Sequence, residues 1–433
     1  MDRRQFLRAG AAGAVALSVA PVATGTVRTA KTTIQARDGY IRAPAKKIPV
    51  VDFADVIVLG GGPAGFAAAV AAARNGSDTL LVERGYFLGG LFTGCGVTPI
   101  INMHTPADGG RRQAVFGVAE ELCARLRSVG LIAPDHEPGN LNVRDRVDPE
   151  AAKYYMEEIC TEAGVRILYG VHAAEVVSGG DIVKAVILEG KSGRVAVKCK
   201  AVVDCTGDGD VLEWLGEDFN VYKDNIGAMW RIYGVSTGPG LDITPTPGIY
   251  GRHTVGELDQ DGLDMYNLTR VQLKIRKRIW DEALKRRDEG YVVIDTPSVV
   301  GVRVTRVLNS IGNVSALGAA EGKSYPDVIG FAGAESTLNV GGQKYAIGTR
   351  RMWQVPYSAL VPKKTANLFV AGRCFGYERE ITYDAREVGT CLMTGQAAGA
   401  AASLCSSLRV ENRSLDVKRL QKLLRSQNVK LDW

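Results

Sequence analysis

The chain has 433 residues, 46% hydrophobic and 23% charged, with a formal net charge of +6, a balance that belongs to globular proteins and excludes disordered and fibrous classes. No Lys/Arg stripe is interleaved with aromatic residues, so nucleic-acid binding is not expected. The eight cysteines contain no Cys-x-x-Cys pair and the four histidines do not fall at metal-ligand spacing, so no metal or iron–sulfur centre is expected.

The chain opens Met1-Asp2-Arg3-Arg4-Gln5-Phe6-Leu7-Arg8, followed by an apolar, small-residue run from Ala9 to Ala20. An arginine pair, Phe-Leu and a run of this kind form the layout of a twin-arginine export signal. The run is too short and too rich in Ala and Gly for a stable membrane span, which needs about 20 predominantly apolar residues. We read residues 1–30 as the signal and 31–50 as a linker, and expect a periplasmic or otherwise extracytoplasmic protein.

The folded region begins near Val51. A short apolar run, Asp55 to Leu59, an Ala-rich helix from Pro63 to Asn75 and a strand from Thr79 to Glu83 make a βαβ unit of about thirty residues. A helix is expected from Gln113 to Val129, and another begins at Pro149 with Asp148 as its cap. Runs at Val165 to Leu168, Ala174 to Val177, Ile182 to Leu188, Val195 to Lys198 and Ala201 to Val203 read as a β-meander. Gly179-Gly180 and Ser192-Gly193 mark its hairpin turns.

Residues 212–364 change character, with strand-like runs Met229 to Val235, Val299 to Val307 and Tyr345 to Val361 around a long helix from Leu263 to Arg287. Basic residues cluster from Lys274 to Arg287 beside Asp281, Glu282 and Asp288, a pattern that suits a solvated helix face. Residues 365–410 return with a strand, Asn367 to Arg373, and a small-residue helix, Val388 to Leu408. A last amphipathic helix, Leu415 to Ser426, lies in 411–433. The expected architecture is α/β: a Rossmann-like doubly wound nucleotide-binding domain in two parts (51–211 and 365–410) with a β-meander, and an inserted mixed α+β substrate or cap domain (212–364).

In Gly60-Gly61-Gly62-Pro63-Ala64-Gly65 the first glycine allows the tight turn, the second lets backbone approach a pyrophosphate, and the third lets helix pack on strand. The helix N-terminus faces the phosphates with free N–H groups and a positive dipole. Glu83, followed by Arg84, ends the second strand where a carboxylate can take a ribose hydroxyl. A second glycine turn, Leu88-Gly89-Gly90-Leu91, suits a chain running along the ribityl and isoalloxazine parts of FAD and has no use in a nicotinamide enzyme. The Gly372-Arg373 strand end and the helix carrying Gly389, Thr390 and Ala398 would aim a positive helix dipole at the flavin pyrimidine. No second complete nucleotide motif is present, so NAD(P)H is not expected as the direct electron donor.

On these motifs, with Cys205-Thr206-Gly207-Asp208-Gly209-Asp210 and Gly301-Val302-Arg303-Val304-Thr305-Arg306, residues 54 to 405 resemble the FAD-dependent oxidoreductase family, related in fold to the fumarate reductase and heterodisulfide reductase flavoproteins. The resemblance implies FAD, with Thr206, Gly207 and Asp208 among its contacts, and places Arg386 and Arg303 near flavin or substrate. Either arginine can grip a carboxylate or stabilise an anion. The segment Tyr377 to Tyr383 lacks the His-containing loop of such relatives, so no catalytic residue is carried over from it. By residue type, Tyr383, Glu380 and His104 are candidates for proton transfer, and His104 also for flavin attachment. Cys95, between Gly94 and Gly96, reads as a small buried filler.

The resulting expectation is an exported enzyme that moves a hydride between a small organic substrate and flavin N5, with quinone, a cytochrome or oxygen completing the cycle. The alternatives are a flavin electron-transfer subunit of a larger redox complex, and a flavin-binding structural or sensory protein. Self-association into a homo-oligomer is left open.

Overall fold

Ten residues, Val50–Leu59, form strand β1, five more than the apolar run suggests, because its first half pairs with a neighbouring strand beyond the reach of the others. The computed structural model describes residues 44–432 apart from 98, 108–109, 136–143, 225, 231–232, 235–250, 255–260, 286, 290, 293–295, 334–336 and 346–351. The twin-arginine segment and most of the linker therefore lie outside the described residues, as do parts of the expected cap.

Helix α1 follows at Pro63–Arg74 and strand β2 at Thr79–Glu83. Helix α2 spans Val118–Ser128, later than expected: Gly110–Gln113 is instead a strand paired with His104–Ala107, and Gly117, at φ 70, breaks the helical path. Helix α3, Pro149–Glu162, begins where predicted, the Asp148 carboxylate accepting from the N–H groups of Glu150 and Ala151.

Strand β3, Arg166–Tyr169, does not belong to the meander. It pairs in parallel with β2 and extends the nucleotide sheet. The antiparallel meander is β4, His172–Gly179, β5, Ile182–Gly190, and β6, Gly193–Asp204. The two runs expected at 195–198 and 201–203 are one strand, because burial of Cys199 and exposure of Lys200 keep the two-residue alternation between them.

Helix α4 is Met265–Lys285. Of the run Val299 to Val307 only the end is strand, in Arg306–Leu308, since the stretch around Arg303 is tied side-on to another turn described below. Tyr345 to Val361 resolves into Met352–Pro356, paired with Val328–Gly333, and a 3-10 turn, Tyr357–Leu360. Strand β7 is Leu368–Val370, helix α5 Val388–Leu408 and helix α6 Val417–Ser426, capped by Asp416.

The seven-stranded sheet runs β3-β2-β1-β6-β5-β4, with β7 also paired to β6. β3, β2, β1, β6 and β7 are parallel, so their C-terminal ends converge on one edge, where open α/β sheets bind ligands. The fold is therefore Rossmann-like α/β. Residues Tyr40–Trp433 form one compact unit.

Helices α1 and α5 meet at their small residues. A Cβ on Gly395 would stand 2.1 Å from the Ala64 carbonyl oxygen, and one on Gly399 2.0 Å from that of Ala68. One-turn spacing on each helix thus lets backbone rest on backbone, and the contact fixes the glycine loop before α1 relative to the start of α5.

Candidate active site

The first two parallel strands, β1 and β2, deliver two glycine loops to the converging edge. A Cβ at Gly60, whose φ is 98, would lie 2.4 Å from the Cys205 carbonyl oxygen, and one at Gly65 1.7 Å from that of Gly60. Protein backbone closes both positions. Gly62 differs: nothing lies within 4 Å of the Cβ it lacks, at the N-cap of α1 where the first-turn N–H groups are exposed. Pro63 occupies the first helical position, and Ala64 and Gly65 complete the turn. Gly89 donates its N–H to the Gly61 carbonyl at 2.8 Å, and a Cβ on Gly90 would approach the Gly62 Cα at 3.1 Å, so the second loop leans over the open face of the first.

Glu83 is buried between these loops. Its carboxylate accepts from Gly61 N–H and Gly85 N–H, each at 2.6 Å, one through each oxygen. It therefore ties the loops together and meets a ribose only through its remaining lone pairs. Arg84 is exposed at the rim, near enough to Asp210 to favour that group's ionisation. Leu91 starts a one-turn helix, Leu91–Gly94, and packs on the cluster containing Cys95, Val271 and Ile275.

The turn after β6 is consumed by its own hydrogen bonds. Asp204, wholly buried, accepts from the Thr206 N–H and hydroxyl and from Val211 N–H; burial still pushes its carboxyl above the ordinary value. Asp208 takes the Thr305 hydroxyl at 2.8 Å and the Arg373 guanidinium at 3.2 Å, while Arg373 also donates to the Val302 carbonyl at 2.7 Å. Burial opposes the charge on Arg373, and Asp208 sustains it. Gly207, at φ 82, leaves room for that guanidinium, which a Cβ would meet at 2.7 Å. Arg306 adds contacts to the Asp208 carbonyl, Asp210 and Glu213. Thr206 and Asp208 are thus internal ties whose polar groups are largely engaged. Thr305 and Arg306, given no role by the sequence, complete the network.

Contacts lead from the glycine loop to a second region. A Cβ on Gly372 would lie 3.0 Å from that of Ala64, and Gly372 donates its N–H to the Thr394 hydroxyl on α5 at 3.2 Å. Five residues earlier, at the start of α5, Gly389 rests on the backbone of residues 101–103. The Thr390 hydroxyl and the Asn102 amide both donate to the Asp384 carbonyl. Asn102 holds φ 70, rare for a residue with a side chain. Ala398 does not reach the loops: it is wholly buried about 15 Å along α5 from Val388 at 1.5 Å per residue, packed within the helix pair.

Arg386 precedes that helix. Its guanidinium lies 4.7 Å from the Tyr383 ring centroid and 3.6 Å from the Glu387 carboxylate, its side chain 15% exposed, and its Nε is buried without a hydrogen-bond partner. Glu387 is the N-cap residue of α5, so the positive end of the helix carries a buried carboxylate beside it. His104, two residues beyond Asn102, places Nδ1 3.2 Å from Oδ2 of the buried Asp145. Arg303 is half-buried beside Val302, whereas Glu380 is exposed. Asp145 was not legible as a partner, because strand pairing rather than spacing brings it to His104, with Ile100 opposite Asp145.

The model of the family described as FAD dependent oxidoreductase matches residues 55–231 and 246–424, well over half of the chain. The chain belongs to that family. It is also similar to the thiamine thiazole synthase of Methanococcus vannielii, 30% identical over 189 residues, which cover 41% of this chain and 66% of that protein, just under two thirds of its length. Among solved structures, a geranylgeranyl bacteriochlorophyll reductase-like protein from Thermoplasma acidophilum aligns at 14% identity and a TM-score of 0.43, over 87% of this chain and 84% of that one. An anhydrotetracycline hydroxylase from Streptomyces rimosus aligns at 13% identity and 0.40, over 86% and 66%.

As an FAD-dependent oxidoreductase, the chain is an enzyme and FAD its cofactor. The residues fit that group: the one fingerprint glycine with an open Cβ position, Gly62, lies at a helix N-terminus, where a phosphate finds both N–H donors and a favourable dipole. All eight cysteines are buried thiols, Cys95 among them, packed with Val302 and Ile275. Among the described residues no group of three or more His, Cys, Asp or Glu side chains could hold a metal ion, and no helix is long and apolar enough to cross a membrane.

Proposed function

We propose that the enzyme is exported and moves a hydride between flavin N5 and a small organic substrate carrying a carboxylate or similar oxyanion, with quinone, a cytochrome or oxygen as the second electron partner. FAD, when bound, supplies the two-electron carrier. In this reading the first-turn N–H groups of α1 hold the pyrophosphate, Glu83 the adenosine ribose, and the Gly89-Gly90 and Gly372-Arg373 turns the middle of the cofactor.

The observation that carries the reading is Arg386. A guanidinium stacked on Tyr383, with Nε buried and unpartnered, is a donor awaiting an acceptor, and an oxyanion completes it. His104, whose Nδ1 stands 3.2 Å from Asp145 Oδ2 but outside hydrogen-bond geometry for that pair, takes the proton that leaves a substrate hydroxyl or amine as the neighbouring C–H bond gives up its hydride. Arg303 is a further anion contact on the segment fixed by Arg373. The paired arginines, Phe-Leu and apolar run at the chain start support export, and a folded passenger suits a cofactor inserted before transport.

The test is anaerobic bleaching of the FAD-loaded protein by a panel of hydroxy acids, sugars, amines and steroids. We expect one acidic class to bleach it, and Arg386→Ala to lower kcat/KM by about 100-fold, the worth of a lost charge-assisted contact, with FAD content unchanged. If no donor bleaches the flavin and no acceptor reoxidises the reduced form, the enzyme is not a hydride-transfer catalyst of this kind; full turnover in Arg386→Ala removes that residue from the site.

A further inference from the structure

Helix α4 buries one face and leaves the opposite one apolar. Val271, Ile275 and Ile279 pack inward, whereas Tyr266, Leu273, Trp280 and Leu284 are 66%, 61%, 58% and 49% exposed. At about 100° per residue these four fall within an arc of about 40° directly opposite the buried face, a stripe that solvation alone does not explain.

Charge borders the stripe. The same turns place Arg270 and Lys277 along one flank and Arg276 along the other, all exposed. The helix carries six basic residues against Asp281 and Glu282, so it holds four of the chain's six excess positive charges. Both carboxylates are already engaged by the helix's own lysines: Asp281 with Lys277 at 2.6 Å and Glu282 with Lys285 at 3.2 Å.

We propose that α4 is a docking face for an anionic lipid surface, lying in the plane of the headgroups. A second copy of the chain is disfavoured: stripe against stripe would bring together two helices that each carry a net charge of +4, with both carboxylates already taken by Lys277 and Lys285. A negatively charged partner is required. Tyr266 and Trp280 stand about 21 Å apart along a straight helix with Leu273 between them, so apolar bodies enter a flat interface while O–H and indole N–H reach its polar layer. Basic residues on both flanks then meet lipid phosphates, and the stems of Lys and Arg extend the apolar footprint.

The experiment is co-sedimentation of the FAD-loaded full chain with vesicles of phosphatidylcholine and phosphatidylglycerol at about 3:1, beside vesicles of phosphatidylcholine alone. We expect anionic vesicles to bind at least about 10-fold more strongly than neutral ones, with binding weakened by salt as surface attraction is screened. Leu273→Glu and Trp280→Glu should each reduce it at least about 10-fold, since each replaces a buried apolar contact with a like-charged repulsion. Both replaced side chains are exposed, so flavin spectrum, melting temperature and turnover should stay at wild-type values. Wild-type binding that is absent, that does not distinguish the two lipid mixtures or that survives both substitutions overturns the assignment. So does a wild-type dimer, seen by light scattering, that Leu273→Glu converts to monomer, because the stripe would then belong to a second copy.

Discussion

Replacing Gly62 by Ala separates the fold of the glycine loop from its use. Gly62 sits at φ −67 and ψ −177, extended backbone that any residue adopts, and the Cβ it lacks would meet nothing within 4 Å. The cofactor-free Gly62→Ala protein should therefore be as stable as wild type or more so by about 0.4–1 kcal/mol, through the smaller entropy of its unfolded chain. FAD binding should suffer instead. A methyl group where phosphate meets backbone N–H groups costs one or two charge-assisted hydrogen bonds, each about 1.5–3 kcal/mol, or about 10- to 150-fold in Kd per bond. Gly65→Ala is the contrast, because its Cβ would lie 1.7 Å from the Gly60 carbonyl oxygen and backbone must move. Overpacking of that kind costs about 1–3 kcal/mol with or without cofactor. Thermal unfolding of both cofactor-free variants and titration with FAD, followed by quenching of its fluorescence, measure the two effects. The reasoning is refuted if Gly62→Ala binds FAD as tightly as wild type, or if its cofactor-free form melts as low as that of Gly65→Ala.

Two predictions concern ionisation. Burial pushes the thiols of Cys160, Cys199, Cys391 and Cys405 up to about 12, and all eight cysteines are buried. The folded protein should expose no thiol to a chromogenic disulfide reagent at pH 8 and all eight after denaturation, and rapid labelling of the native protein would contradict this packing. Partial burial and the carboxylates of Asp204 and Asp208 push Asp210 up to about 6, against the opposing pull of Arg306 and Arg84. The unfolded carboxyl ionises near pH 4, so as pH rises from about 4 to about 6 the unfolded chain loses its proton first, stability falls, and the deficit persists above. Asp210→Asn should raise the melting temperature at pH 7.5 and leave it unchanged below pH 4; equal melting at both would remove the effect.

The parallel core was legible where each element carried a local signal. Gly60 to Gly65 mark a turn, Thr79 to Glu83 a buried strand and Asp148-Pro149 a helix start, and each lies where its chemistry puts it. Local signals failed where a distant partner decided. Arg166–Tyr169 reads like another meander strand, and only pairing with β2 makes it parallel. Residues 113–117 continue a helical pattern, yet Gln113 pairs with His104 and Gly117 turns away, its missing Cβ leaving space for the Gln396 amide at 2.2 Å. In the site, residue types were readable and their engagement was not. Thr206 and Asp208 stand in the right turn, but their oxygens are bound to neighbours across 97 and 165 residues of chain or within the turn itself. Asp145 reaches His104 by the same kind of long-range pairing.

That engagement bears on how firmly FAD is held. Glu83 joins the two glycine loops through both of its oxygens, and Asp208 fixes Arg373 against the Val302 carbonyl. The α1–α5 contact at Gly395 and Gly399 sets the first loop against the Gly372 turn. The loops are therefore shaped by protein–protein bonds that form on folding, and binding has little backbone left to order. Preorganisation of this kind raises affinity by removing the entropy cost of ordering rather than by adding contacts. It favours a tightly retained cofactor. On the proposed reading, in which the protein crosses a membrane already folded, retention is what the sequence must secure, and the buried polar ties beneath the loops secure it.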